Sequence, residues 1–455
     1  MRMNLMRLSQ RSQDTDGPAR NRRPPKPART GRLRSGSGLL LLSAAGLAVA
    51  CLVTACSQFT QTLTVDFVYV ASAKAAGADN YGEINVFEIN SESGRMRQIP
   101  TSPFPSAGRN PVAEAVSADY GSLFVANEDD NTIVQFVIGS DGKLYPFNTV
   151  NTPGIFPLAI ATSKSNLFVA DLYQPLPICS DPDPCSGSIG VFPLLAGGSS
   201  SSAPCTATTC LGSPAVNSAV NGQYWPLTLS GANSTHILVP TAINVLASGA
   251  DIYVTAYDSS VTPSVGYVFG FSVGSGGVLA PLTGSPFAAG VHPSAIASDA
   301  SSTYVYVTDF ASGNVRGYSV ASGNLTPLPG SPFRAGNQPS AIVVDPSYPY
   351  AYVANSQDAT IEAYSISNGA LKFLGSSSSP STYATGLQPM AMGIDPSTNH
   401  FLFTANFLGN NVSGFTMSIT DGTLLDSQLS PYPSNDNPTA VAAIPHNGTG
   451  GGVQK

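Results

Sequence analysis

The sequence predicts an all-β chain folded as one seven-bladed β-propeller, with its C-terminal strand closing the first blade. Three observations carry this. A short aromatic-bearing strand occurs seven times, a second strand follows each copy, and a Pro-x-Ala tripeptide also recurs seven times, 46 to 53 residues apart except for one gap of 83. Self-similarity at such a period is the signature of blades that cannot bury their faces alone and so stack into a ring.

The aromatic strand reads Phe-Val-Tyr-Val-Ala at 67–71, Leu-Phe-Val-Ala at 123–126 and 167–170, Ile-Tyr-Val-Thr at 252–255, Val-Tyr-Val-Thr at 305–308, Ala-Tyr-Val-Ala at 351–354 and Leu-Phe-Thr-Ala at 402–405. Its follower pairs an aliphatic residue with an aromatic one three positions on, as in Ile84 and Phe87 or Val412 and Phe415. That pattern suits a strand nearer the outside of a blade. Pro-x-Ala begins at Pro111, Pro157, Pro240, Pro293, Pro339, Pro389 and Pro438. Pro is tolerated at a strand's first position, and the apolar runs after it read as the innermost strands. The Leu-Thr-Pro-Leu and Ser-Pro-Phe stretches, as at 325–328 and 331–333, read as the outermost strand and its exit.

The first repeat starts at its second strand, near Phe67, whereas the inner strand at Pro438 has no successor. Pairing the two closes the ring and removes an exposed edge. The propeller is therefore expected over residues 64–446, with a Cys-bearing insertion at 172–238 and a flexible tail at 447–455.

Ahead of it, the first 35 residues carry ten Lys or Arg against two Asp, and an apolar run follows at 38–53. This is the layout of a secretory signal. The Val-Thr-Ala-Cys that ends at Cys56 resembles a bacterial lipobox, so residues 1–55 are expected to be a basic leader and lipoprotein signal peptide, Cys56 the lipidated residue, and 56–63 a tether. The rival reading is an uncleaved anchor helix, and Cys51 is a weaker lipid site. Either way the chain is expected to be exported and membrane-anchored, on the periplasmic or cell-surface side.

Four further cysteines, Cys179, Cys185, Cys205 and Cys210, fall in one Ser-, Gly- and Pro-rich region. Two disulfides fit an oxidising compartment, and three pairings are open. A zinc site is the rival, although no C-x2-C spacing occurs, and no metal is expected. Without residues 1–55 the chain keeps ten basic residues against 25 acidic ones, a net charge of −15. Nucleic-acid binding is thereby excluded, because it needs a basic surface to displace counterions. No Gly-x-Ser-x-Gly, Walker loop or His-Glu-x-x-His occurs, and no cofactor is implied.

The repeats share Ala-Gly-x-x-Pro-x-Ala, then Asp-Pro, then Tyr-Val-Ala-Asn, clearest at 335–346 with 352–355 and again, with Thr for the first Ala, at 385–391. This form resembles the lactonase family of seven-bladed propellers, which includes 6-phosphogluconolactonase and the carboxymuconate cyclase, and the resemblance covers nearly all of the chain beyond its leader. It implies carboxylic-ester chemistry on a lactone. The catalytic members' inner strand begins Pro-Arg-His and their next strand ends in Asn-Glu. Asn127-Glu128 matches the second half, but Pro111-Val-Ala does not match the first.

Loops that enter the inner strands and leave the second strands should meet at one mouth of the axial channel, the default ligand site. The second strands end in Asn127, Asp171, Asp309, Asn355 and Asn406 in five of seven repeats, and Gln338 and Gln388 precede two of the inner strands. Together they predict a polar ring able to hold a hydroxylated or carboxylated ligand. The alternative is that Asn and Asp merely fasten strand ends through Asx-turns. Glu128 is the candidate general base, with Arg109 and His292 as candidate oxyanion partners. Two functions follow: a binding or interaction propeller for a small molecule, glycan or protein, or a lactone hydrolase.

Overall fold

The computed structural model describes residues 64–73, 81–90, 92–180, 182–197, 207–229, 236–375 and 382–446. The leader, Cys56 and its tether, Cys205 and the tail lie outside them.

Seven antiparallel sheets follow one another around a central axis. Blade 1 joins Pro438–Pro445 as inner strand to Thr64–Ser72, Tyr81–Asn90 and Met96–Gln98. The inner strands of blades 2 to 7 are Pro111–Val116, Ile155–Thr162, Leu238–Val245, Pro293–Ser298, Pro339–Val344 and Pro389–Ile394. Their second strands are Ser122–Asn127, Asn166–Tyr173, Asp251–Asp258, Tyr304–Asp309, Tyr350–Asn355 and Phe401–Asn406. Each inner strand packs against the next, and that of blade 7 against that of blade 1. The closure is the one expected: Phe67 pairs with Ile444 and Val70 with Val441, antiparallel.

Six of the seven sheets carry a fifth short strand, which the sequence reading took only as an exit from the outermost one. In blade 5 the outer strand is Asn324–Pro327, and Phe333–Arg334 then pairs with the third strand. The Ser of Ser-Pro-Phe explains the step. Its hydroxyl accepts a third-strand N–H, Gly317 to Ser331 at 3.0 Å and Gly270 to Ser285 at 2.9 Å, where the outer ladder has run out. A donor that would otherwise be orphaned is thus satisfied.

The core lies between blades, because alternate side chains of a strand point to opposite neighbours. Tyr69 packs with Leu123, Val125 and Phe136 of blade 2. Val68 and Val70 pack with Phe401 and Phe403 of blade 7. In four blades the central aromatic is Tyr, and its hydroxyl reaches the outer hairpin of the following blade: Tyr69 to Gly142 O, Tyr253 to Gly323 O, Tyr306 to Gly369 O and Tyr352 to Gly422 O, at 2.9 to 3.1 Å. Around the axis, Ser294 Oγ donates to Pro339 O, Ser340 Oγ to Pro389 O and Thr439 Oγ1 to Pro111 O, at 2.6 to 2.7 Å. In these three blades the x of Pro-x-Ala, which sits at a bulge in the pairing, ties its blade to the next.

The region 172–238 is split by blade 3's own third and fourth strands, Ser188–Ala196 and Thr209–Leu211. Cys179 and Cys185 form a disulfide that closes a loop at the exit of the second strand.

Candidate functional site at the axial mouth

Five members of the expected polar ring lie inside the protein. Asn127, Asp171, Asp309, Asn355 and Asn406 stand at the mouth end of their strands, but all five are fully buried and face the loop that enters their own blade. Asp171 Oδ2 accepts the Gly154 N–H at 3.0 Å, and Asp309 accepts those of Val291 and His292 at 3.0 Å. Asn406 is held by Asn411 and Ser413. The Gly of Ala-Gly-x-x-Pro exists to admit them. A Cβ at Gly108 would lie 2.3 Å from Asn127 Cγ, one at Gly154 2.4 Å from Asp171 Cβ, and one at Gly336 2.7 Å from Asn355 Cγ. Asp171 and Asp309 thus bond the entry loop, whereas Asn127, Asn355 and Asn406 lie against its Gly and bond Thr132, Thr360, and Asn411 and Ser413 of their third strands, so these contacts differ from the Asx-turns of the alternative.

The residues at the mouth itself are their neighbours. One set stands directly before the Pro of each Pro-x-Ala: Asn110, Phe156, Val239, His292, Gln338, Gln388 and Asn437. The other comes one residue after Ser72, Asn127, Asp171, Ala256, Asp309, Asn355 and Asn406: Ala73, Glu128, Leu172, Tyr257, Phe310, Ser356 and Phe407. The sets are stitched together, because Glu128 N donates to Asn110 O, Phe310 N to His292 O, Ser356 N to Gln338 O and Phe407 N to Gln388 O. Five of the first set, Asn110, Phe156, Gln338, Gln388 and Asn437, hold φ between 53° and 60°. Non-glycine residues pay for this left-handed backbone, and such strain persists only where surrounding bonds enforce it.

Around the ring the mouth is uneven. Blades 3 and 4 contribute Phe156, Leu172, Val239 and Tyr257, which pack with Cys179, Leu176 and Ile237 beneath the disulfide loop. Blades 5 to 7, 1 and 2 contribute an imidazole, four carboxamides, Ser356 and one carboxylate. His292 lies edge-on to Tyr257 and Phe310, with centroids 4.0 and 5.6 Å away. Burial holds its pKa below the ordinary value, against the pull of Asp309, so the ring is neutral near pH 7. Gln388 Oε1 is buried without a partner among the described residues.

The expected catalytic group is only partly assembled. Asn110 Nδ2 donates to Glu128 Oε2 at 2.6 Å. Arg109 is bonded to Asp130, with Nε to Oδ1 at 2.6 Å and its own N–H to Oδ2 at 2.7 Å, which fastens the loop that leaves the second strand. His292 enters blade 5, three blades from Glu128 in blade 2, which sets the two on opposing sides of the mouth. No group of three or more His, Cys, Asp or Glu among the described residues is placed to hold a metal.

Two features escaped the sequence reading. Glu114 occupies the fourth position of blade 2's inner strand, where the other blades carry Val441, Ile160, Ile243, Ile296, Ile342 and Met392. Both of its carboxylate oxygens are buried and make no hydrogen bond among the described residues. In blade 4, His236 Nδ1 contacts the buried Asp258 Oδ2 at 2.5 Å. Each was visible as the odd member of a column of aligned repeats.

These elements define a seven-bladed propeller with a polar, one-sidedly covered mouth. Residues 324–442 match the family model described as lactonase, 7-bladed β-propeller. No protein of curated function matches the sequence. Among solved structures the chain is similar to a candidate 6-phosphogluconolactonase from Bacteroides fragilis, with TM-score 0.63, 18% identity, and 84% of this chain and 99% of that one covered. It is also similar to a candidate 6-phosphogluconolactonase from Bacteroides uniformis, with TM-score 0.61, 18% identity, and 84% and 100% covered. The periplasmic gluconolactonase of Pseudomonas aeruginosa gives TM-score 0.62 at 17% identity, with 84% and 99% covered. These likenesses establish the fold.

Proposed function

We propose that the chain is a lactonase-family propeller that binds a small hydroxylated or carboxylated ligand at its axial mouth, exported and held to a membrane by a lipid on Cys56. The composition of the mouth carries the binding reading. Gln338, Gln388 and Asn437 come from three consecutive blades and offer donors and acceptors side by side, while Phe310, Phe407 and Tyr257 supply apolar faces. Carboxamides beside aromatic rings suit a polyhydroxylated molecule, whose hydroxyls need both donors and acceptors and whose C–H faces need an apolar wall.

Titration calorimetry of the purified protein with sugars, aldonic acids and their lactones tests this. Saturable binding weakened at least tenfold by Gln338→Leu or Gln388→Leu is the expected result, and no binding across the set overturns the reading. Acylation of Cys56 is checked separately by mass spectrometry of the mature N-terminus.

Lactone hydrolysis is the second reading. The Glu128–Asn110 pair favours it, as do the lactonase match at residues 324–442 and the gluconolactonase named among the similar structures. In it Glu128 activates a water against the ring carbonyl. Proton release above the spontaneous rate that disappears in Glu128→Gln selects this reading over simple binding.

A further inference from the structure

Blade 4 departs from the entry used by its neighbours. Five blades pair an entry-loop Gly with a strand-end Asn or Asp, but here Ile237 replaces the Gly and Ala256 the acid. Asp258, two residues on, takes over the fastening by accepting the Ile237 N–H at 3.3 Å. That fastening needs no histidine. Yet His236 stands where the other blades carry Ala107, Pro153, Ala289, Ala335, Thr385 and Ser434.

Asp258 is a well-built anchor. It is almost fully buried, and besides the imidazole it accepts the Ser260 hydroxyl at 2.5 Å and the Ser260 N–H at 3.0 Å. These bonds and that of His236 hold its carboxyl below the ordinary range despite burial. In the tautomer that donates its Nδ1–H to Asp258, Nε2 presents a lone pair. Nε2 makes no hydrogen bond among the described residues, and the side chain is one-third exposed. It lines a cleft of about 930 Å³ between the Cys179–Cys185 loop and the entry to blade 4. The opposing walls include Leu176, Ile178, Leu227 and Leu229, with Asp183 at the rim loop. Two acids on this side disfavour an anion, while the apolar walls suit a hydrocarbon body.

We propose that this cleft is a second ligand site, separate from the mouth, which takes a neutral amphipathic molecule whose hydroxyl donates to His236 Nε2 and whose apolar body lies against Leu176, Ile178 and Leu229. A phenol is the simplest member of that class. A site built around one acceptor discriminates strongly against an analogue that has lost the donor.

The test uses 4-propylphenol and 4-propylanisole, which differ in that donor, against the purified protein. Calorimetry should give saturable phenol binding and at least tenfold weaker anisole binding. Nitrogen NMR of the histidine rings should show the His236 Nε2 resonance moving with phenol alone. His236→Phe should abolish the phenol preference, while Gln388→Leu at the mouth should leave it intact. Equal affinity for the two probes, no saturable phenol binding, or a His236 resonance unmoved by bound phenol overturns the proposal. The NMR arm needs no substitution, so a His236→Phe chain that fails to fold does not spare it.

Discussion

Replacing Glu114 with Leu should stabilise the propeller and change how its stability depends on pH. Its two carboxylate oxygens are buried with no partner among the described residues, in a column that is apolar in the six other blades, and burial pushes its pKa well above the ordinary carboxylate value. Desolvating an unpaired polar group costs about 1–3 kcal/mol by protein mutational measures. Leu removes that cost and restores the packing its counterparts make. The folded chain also holds a proton on Glu114 that the unfolded chain releases above about pH 4.3. Stability from this group is therefore fully present below the unfolded pKa, and falls by about 1.4 kcal/mol per unit as pH rises toward the raised folded value. Asp66, raised to about 7, and Asp171, raised to about 8, both by burial first, act with the same sign over the same window. Asp119 and Asp258 are lowered and act oppositely, losing stability only as pH falls through the acid range. Urea unfolding can be followed by the fluorescence of Trp225, the sole tryptophan, which is buried between blades 3 and 4. Above the unfolded pKa, Glu114→Leu should raise the midpoint at unchanged slope and make stability decline less steeply with pH than in the parent. Glu114→Gln should remove the same titration with less of the gain, since its amide still lacks partners. A Glu114→Leu protein less stable than the parent at pH 7, or with the parent's pH slope, would refute the reasoning.

Other substitutions read out the repeat design. Gly154→Ala drives a Cβ into Asp171 and should destabilise by about 1–3 kcal/mol in urea unfolding, as overpacking does, whereas Gly276→Ala meets nothing within 4 Å and pays only for its positive φ. Tyr306→Phe strands the Gly369 carbonyl between blades 5 and 6 and should cost about 1–2 kcal/mol in the same measurement. Reducing Cys179–Cys185 frees a short loop. The chain-entropy estimate is about 2 kcal/mol, and proteolysis within 174–187 should become faster while the Trp225 transition is retained.

Blade number, strand order and ring closure were legible because each is written seven times, and because a repeat short of one strand at one end and holding a spare at the other has one economical solution. The direction of a side chain at a strand end is not written that way. Asn and Asp at five such positions look alike whether they face a channel or a backbone, since the same short polar group serves both. The discriminating signal was nevertheless present in the repeats. The five blades that end their second strand in Asn or Asp are the five that carry Gly before the x-x-Pro, and blades 1 and 4, which end in Ser72 and Ala256, carry Asn435 and Ile237 there instead. A residue that must be absent for another to fit means the two are in contact, so the pairing places the acid or amide against the loop and away from the mouth. The same comparison works in reverse. A position whose residue breaks its column, as Glu114 does with no hydrogen bond among the described residues and His236 does with a buried Asp258 beside it, is not explained by the fold that the column builds. Such positions are where a repeat protein records what distinguishes one blade from its neighbours.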